Sequence, residues 1–143
     1  MNKLAIVYWS GTGNTETMAN CIAEGARETG AEVALMGPSE FSTARFSEFG
    51  AVAFGCPAMG SEALEEAEFE PMFSGLESTL SGKRIALFVS YGWGDGQWMR
   101  DWCARCEAAN ANLYEEDGLT VNEAPDMAAQ EVCRELGRKL AAW

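Results

Sequence analysis

Apolar residues run through this chain in short unbroken blocks, separated by stretches in which they recur every three or four positions. Leu4, Ala5, Ile6, Val7 and Tyr8 form the first block. It shows no alternation, so it reads as a strand buried on both faces. From Thr15 the period changes, and Met18, Ile22, Gly25, Ala26 and Thr29 fall at helical spacing, with Gly30 placed to stop the helix. Glu32, Val33, Ala34, Leu35 and Met36 read as a second strand, ended by Gly37 and Pro38. Residues 39–50 show no clear period beyond a short helix expected around residues 44–48. Ala51, Val52, Ala53, Phe54 and Gly55 form a third buried block.

Acidic helical sequence follows over residues 63–69; Pro71 is expected to interrupt it, with Phe73, Leu76 and Leu80 continuing beyond. Residues 84–89 are the most strand-like run in the chain. Asp95 reads as the N-cap of a helix that places Trp98, Trp102, Arg105, Cys106 and Ala109 on one face. A weak strand is expected near Asn112, Leu113 and Tyr114, with a second piece at Leu119, Thr120 and Val121. The last helix is expected to bury Ala129, Val132, Cys133, Leu136 and Leu140. Strands alternating with helices imply an α/β fold, a doubly wound parallel sheet with helices on both faces. Ligands of such folds bind outside the carboxyl ends of the strands, at a switch point. Three Gly-containing segments, after Tyr8, Phe54 and Val89, should meet at that edge.

Composition narrows the chemistry. The 143 residues suit one domain, 1–143, and 48% apolar content is that of a globular chain rather than a disordered one. Net charge is -12, from 22 acidic and 10 basic residues, which disfavours nucleic acid and anionic membranes and favours basic protein partners. The absence of His removes the usual general base, the usual metal ligand and every His-dependent triad. Five Cys without framework spacing are expected to be free thiols in a reducing cytoplasm. The apolar run from Leu4 to Trp9 is too short for a signal peptide or a membrane span.

Ser10, Gly11, Thr12, Gly13, Asn14 and Thr15 lie between the first strand and the first helix. The glycines allow a tight turn that bares backbone N–H groups, and Ser10, Thr12, Asn14 and Thr15 add side-chain donors. The helix N-terminus contributes roughly half a positive charge, so the segment suits a phosphate without any basic side chain. A Walker loop is excluded, since no Lys occurs between Lys3 and Lys83; a dinucleotide fingerprint is excluded because its third Gly is missing. Taken alone, the string reads first as a plain strand-to-helix turn with a Ser or Thr cap; its position after the first buried strand turns the balance to phosphate binding.

Three further stretches stand in register with it: Gly55-Cys56-Pro57-Ala58-Met59-Gly60-Ser61-Glu62, Ser90-Tyr91-Gly92-Trp93-Gly94-Asp95-Gly96 and Val121-Asn122-Glu123-Ala124-Pro125-Asp126. On these four segments the chain resembles the short-chain flavodoxins from end to end. The resemblance implies a five-stranded sheet in order 2-1-3-4-5 and non-covalently bound FMN. It places the FMN phosphate on residues 10–15, with Ser90 adding a hydroxyl. Pro57, Ala58, Met59, Gly60, Ser61 and Glu62 would line the flavin edge, with Tyr91, Gly92, Gly94 and Asn122 completing the site. Gly60 corresponds to the peptide that flips on one-electron uptake, so that its carbonyl accepts from flavin N5. Glu62 corresponds to the carboxylate that accepts from N3, and Met59 and Trp93 to the residues on the two flavin faces. Outside that context Met59 reads as core filler, Trp93 as a packed aromatic and Glu62 as one of the acidic run with Glu65, Glu66, Glu68 and Glu70. Val89 and Pro57 depart from the residues that short-chain relatives commonly carry.

The reading that follows is a low-potential one-electron carrier, not an enzyme, cycling mainly between neutral semiquinone and hydroquinone. Its acidic residues would steer basic patches of redox partners, including ferredoxin-type oxidoreductases, toward a monomer. The alternative is an FMN-dependent NAD(P)H reductase, disfavoured because no basic cluster suits a second nucleotide. A receiver-type signalling module needs an acidic pocket after the first strand, where Trp9, Ser10 and Gly11 stand instead. Cys103 and Cys106 mimic a thioredoxin motif, but they fall inside the expected helix rather than at its start.

Overall fold

Parallel pairing explains why the apolar blocks lack alternation: each inner strand buries both of its faces. A computed structural model describes residues 3–9, 13–46, 48–56, 69–91, 97–113, 119–122 and 126–142. For Thr43, Ser90, Tyr91, Gln97, Trp98 and Asn122 it describes the backbone alone. The strands are β1 (Lys3–Tyr8), β2 (Glu32–Met36), β3 (Ala51–Gly55), β4 (Arg84–Tyr91), β5 (Asn112–Leu113) and β6 (Leu119–Asn122). The helices are α1 (Asn14–Glu28), α2 (Thr43–Phe46), α3 (Phe69–Leu76), α4 (Gln97–Ala108) and α5 (Met127–Ala142). Every ladder is parallel, in the order β2-β1-β3-β4-β5. β5 pairs with the start of β4, at Arg84 and Ile85, and β6 pairs with its end, from Phe88 to Tyr91. The fifth sheet position is therefore filled by two pieces in succession, as the broken pattern over residues 112–121 implies.

The two faces of the sheet carry different side chains. Leu4, Ile6, Ala51, Ala53, Ala86 and Phe88 face α1 and α5. Val7, Val52, Phe54, Ile85, Leu87 and Val89 face the opposite layer, where Phe41, Phe46, Phe69, Phe73 and Trp102 pack. Phe54 meets Phe73 edge to face at 5.4 Å, and Phe73 meets Trp102 at 5.7 Å, the geometry that aromatic quadrupoles favour.

Small residues let α1 and α5 cross closely. A Cβ on Gly25 would stand 1.9 Å from the Arg134 carbonyl oxygen, and one on Gly137 would stand 1.9 Å from that of Ile22. Ion pairs flank the crossing, Arg134 to Glu24 at 3.6 Å and Arg138 to Glu28 at 2.8 Å. Asp126 opens α5 as its cap, its carboxylate accepting from the Ala129 amide at 2.8 Å.

Several expectations are corrected. Pro71 does not interrupt a helix; α3 runs through it from Phe69 to Leu76. Thr29 is exposed and ends α1, its hydroxyl donating to the Ala26 carbonyl at 2.7 Å, while Gly30 takes φ 91° as the stop. In α5, Val132 is 50% exposed and Ala129 half-buried; Gly137 and Ala141 complete the buried face instead. In α4 the buried face is Met99, Trp102, Cys103 and Cys106, with Arg105 at its margin. Among the described residues no helix is long and apolar enough to cross a membrane.

Replacing Gly137 by Ala should lower stability by about 1–3 kcal/mol, because a backbone carbonyl must give way. Replacing Gly75 by Ala, in α3 with nothing within 4 Å of the added Cβ, should raise it by about 0.5 kcal/mol. Urea unfolding of both variants checks the pair; equal effects would contradict the crossing geometry.

Candidate functional site

The switch point lies between β1 and β3, where the chain leaves β1 toward β2 on one side and β3 adjoins it on the other. Tyr8 stands level with Gly55, and the Trp9 amide donates to the Gly55 carbonyl at 3.0 Å. The ladder thus runs one residue past β1, to the carboxyl edge of the sheet. Gly55 must lack a side chain, since a Cβ there would fall 2.2 Å from the Phe88 ring. The sequence quoted Gly55 only as part of a motif; its packing role became visible once Phe88 stood opposite it in β4. On the far side, Tyr91 and Asn122 end β4 and β6 level with each other. Residues 92–96 and 123–125 leave from there.

Of the residues expected in the first loop, Gly13, Asn14 and Thr15 are described. Gly13 takes a left-handed conformation, φ 91°, that a side chain would strain. Its carbonyl accepts from both the Thr17 amide at 2.9 Å and the Thr17 hydroxyl at 3.0 Å, which fixes the first turn of α1. By helix geometry the amides of Asn14, Thr15 and Glu16 lack acceptors inside the helix. Thr15 is fully buried, and its hydroxyl has no hydrogen-bond partner among the described residues. An orphaned buried hydroxyl costs about 1–3 kcal/mol, and beside open helix amides its chemistry suits an anion. Burial, followed by the carboxylates of Glu16 and Glu40, pushes the Tyr8 phenol up, so it stays neutral at this rim.

Ser90, Tyr91 and Asn122 reach the same carboxyl edge by their backbones. Ser10, Gly11, Thr12, Pro57, Ala58, Met59, Gly60, Ser61, Glu62, Gly92, Trp93 and Gly94 lie outside the described residues.

Sequence reasoning missed a cluster joining α3 to α4. Arg105 donates to both Glu70 carboxylate oxygens, at 2.8 and 2.6 Å, and to Glu77 at 2.5 Å. It also contacts the Ser74 hydroxyl at 3.1 Å and lies 5.0 Å from the Phe73 ring centre. The Ser74 hydroxyl donates to Glu70 in turn. The signal in the sequence is Glu70, Ser74 and Glu77 on one helical stripe, but nothing local points to an Arg 28 residues beyond the last of them. Of the acidic run ending at Glu70, Glu70 is thereby engaged inside the molecule.

All five cysteines are free and buried. Cys103 and Cys106 sit inside α4 against the aromatic layer, and burial, with Cys103 second, pushes the Cys106 thiol up to about 12. Cys133 is likewise pushed up to about 12 by burial, with Cys21 second. These are packed thiols with little thiolate at neutral pH.

The chain matches the Flavodoxin family model over residues 6–137. It is 46% identical over 138 residues to a flavodoxin of Clostridium beijerinckii, covering 96% of this chain and 99% of that protein. It is 44% identical over 136 residues to a flavodoxin of Megasphaera elsdenii, covering 95% and 96% respectively. The solution structure of the two-electron reduced Megasphaera elsdenii protein superimposes with a TM-score of 0.86 at 42% identity, over 98% of this chain and 99% of that one.

Two outcomes follow from the thiols and the carboxylate cluster. The folded protein should react negligibly with an aromatic disulfide reagent near pH 8. Five thiols should appear on denaturation in guanidinium. The Arg105 hydrogen bonds, then Ser74, hold the Glu70 carboxyl below its ordinary value of 4.5. That stabilisation is complete above the ordinary value and is lost as pH falls through the lowered one. The urea-midpoint gap between wild type and Glu70→Gln should therefore shrink from neutral pH to about pH 3.

Proposed function

The chain belongs to the flavodoxin family, and from that premise we propose that it carries FMN without a covalent bond and passes electrons one at a time between redox proteins. The observation that carries this reading is Thr15: a buried, unpartnered hydroxyl at the head of α1, next to a left-handed Gly13. Such a cradle fits a phosphate monoester. FMN bound there supplies the redox chemistry, and the protein sets its energies.

In this reading Ser10, Gly11, Thr12, Gly13, Asn14 and Thr15 hold the phosphate, with Ser90 adding a hydroxyl. Pro57, Ala58, Met59, Gly60, Ser61 and Glu62 line the flavin edge; the Gly60 carbonyl serves N5 and the Glu62 carboxylate serves N3. Met59 and Trp93 cover the two faces, and Tyr91, Gly92, Gly94 and Asn122 close the site. The whole chain, 1–143, acts as one FMN-binding domain.

The absence of any basic residue between positions 10 and 17 has a consequence for energy. Hydrogen bonds hold the phosphate without neutralising it. Two unit charges about 10 Å apart interact by ~1.7 kcal/mol at an effective dielectric of 20. The phosphate, Glu62 and the acidic surface together disfavour added negative charge, which makes the second electron a low-potential one. The same charge, -12 in all, suits a cytoplasmic monomer docking on basic patches of ferredoxin-type oxidoreductases. The comparisons lend nothing to the alternative of an NAD(P)H reductase.

Reductive titration of the FMN-loaded protein should resolve two one-electron steps; a single two-electron step would overturn the carrier reading. Thr15→Val should weaken FMN binding roughly tenfold or more while leaving apoprotein stability equal or higher, since it removes an unsatisfied hydroxyl. Fluorescence titration of FMN and urea unfolding measure the two effects separately.

A further inference from the structure

The first turn of α1 carries one charged side chain, that of Glu16. No basic residue stands between Lys3 and Arg27 in the sequence. Glu16 is exposed, and its carboxylate makes no hydrogen bond or ion pair among the described residues. Further along the same helix the acidic residues are committed: Glu24 pairs with Arg134 at 3.6 Å and Glu28 with Arg138 at 2.8 Å. The N-cap, Gly13, has no side chain that could accept from the first amides. Thr17 turns both its amide and its hydroxyl back to the Gly13 carbonyl. The amides of Asn14, Thr15 and Glu16 therefore stay open by helix geometry, beside the buried, unpartnered Thr15 hydroxyl. The charge of Glu16 is felt at the carboxyl edge of the sheet. After burial, it is the next cause that holds up the phenol of Tyr8, the last residue of β1.

We propose that Glu16 is the internal opponent of the phosphate at this cradle: it stabilises the empty end of α1 and repels the phosphate that binds there, so that it limits how tightly the protein holds FMN. This rests on the FMN reading above. A carboxylate in the first turn complements the positive end of the helix dipole, which leaves the open amides less costly in the apoprotein. A phosphate at the same amides draws on the same dipole and meets Glu16 as a like charge, with no cation of that turn to relieve the pair. The alternative is a solvated carboxylate that acts through the net charge of the protein alone. Position separates the two. Glu107 is also exposed, but it lies in the last turn of α4, shortly before β5 opens level with Arg84 at the start of β4. It therefore stands near the opposite edge of the sheet, and its removal changes the net charge by the same single unit.

Glu16→Gln keeps the length of the side chain and nearly the same helix propensity, so charge is the difference that remains. Apoproteins of wild type, Glu16→Gln and Glu107→Gln are titrated with FMN and with riboflavin, the same flavin without its phosphate, and each is unfolded in urea. At low salt Glu16→Gln should tighten FMN binding about threefold to tenfold, and the gain should shrink as salt screens the pair. Riboflavin affinity should stay within about twofold, and the urea midpoint of the Glu16→Gln apoprotein should fall. Glu107→Gln should leave both affinities within about twofold. Unchanged FMN affinity in Glu16→Gln would overturn the proposal. So would an equal gain for riboflavin, an equal gain in Glu107→Gln, or an apoprotein no less stable than wild type. Failure of the wild-type apoprotein to bind FMN would instead overturn the functional reading, so the two failures are told apart.

Discussion

The pairing of β1 with β3 is the constraint on which the rest of the molecule depends. Five residue pairs, from Leu4 with Ala51 to Tyr8 with Gly55, set two strands in parallel that are separated in sequence by a helix, a strand and a short helical stretch. Parallel neighbours cannot be joined by a tight turn, so the chain must cross over, and the crossover places α1 on one face. The reversal of winding at this pair opens the crevice. The Trp9–Gly55 hydrogen bond carries the ladder to the brink of it. A one-residue slip would exchange Leu4 and Ile6 with Ala5 and Val7 between the two cores.

The two cores solve different packing problems. On the α1 and α5 side, alanines in the strands and a glycine in each helix allow backbone-to-backbone approach, and the inter-helix ion pairs lie at the margin of that contact. On the other side, five aromatic rings pack against the sheet, and a charged fork joins α3 to α4. Interior cysteines serve the packing of both layers as small apolar groups.

Charge follows the same division. Guanidinium groups are committed to structural carboxylates: Arg105 between α3 and α4, Arg134 and Arg138 between α1 and α5. The phosphate cradle proposed at the head of α1, in contrast, would use backbone amides, hydroxyls and a helix end. In the FMN reading this division is functional, because a cation at the phosphate would relieve the repulsion that sets the second potential.

The residues determined the architecture because strand and helix leave different periods, and the blocks at 4–8, 51–55 and 84–89 carry no alternation. They determined the family as well, through four segments whose spacing along the chain is itself the signature. In the first loop turn, hydroxyls and helix start are all local in the sequence, and of the described residues Gly13 takes the left-handed turn and Thr15 lies buried at the start of α1. Val132 departs from the expected buried face, because a period shows a stripe but not which of its margins a neighbour covers. The long-range pieces needed the fold. Gly55 is demanded by Phe88, Gly25 and Gly137 by each other's helices, and Arg105 finds Glu70 only after α3 and α4 lie side by side. A sequence records local geometry directly, whereas a contact between distant residues exists only once folding has closed the loop between them.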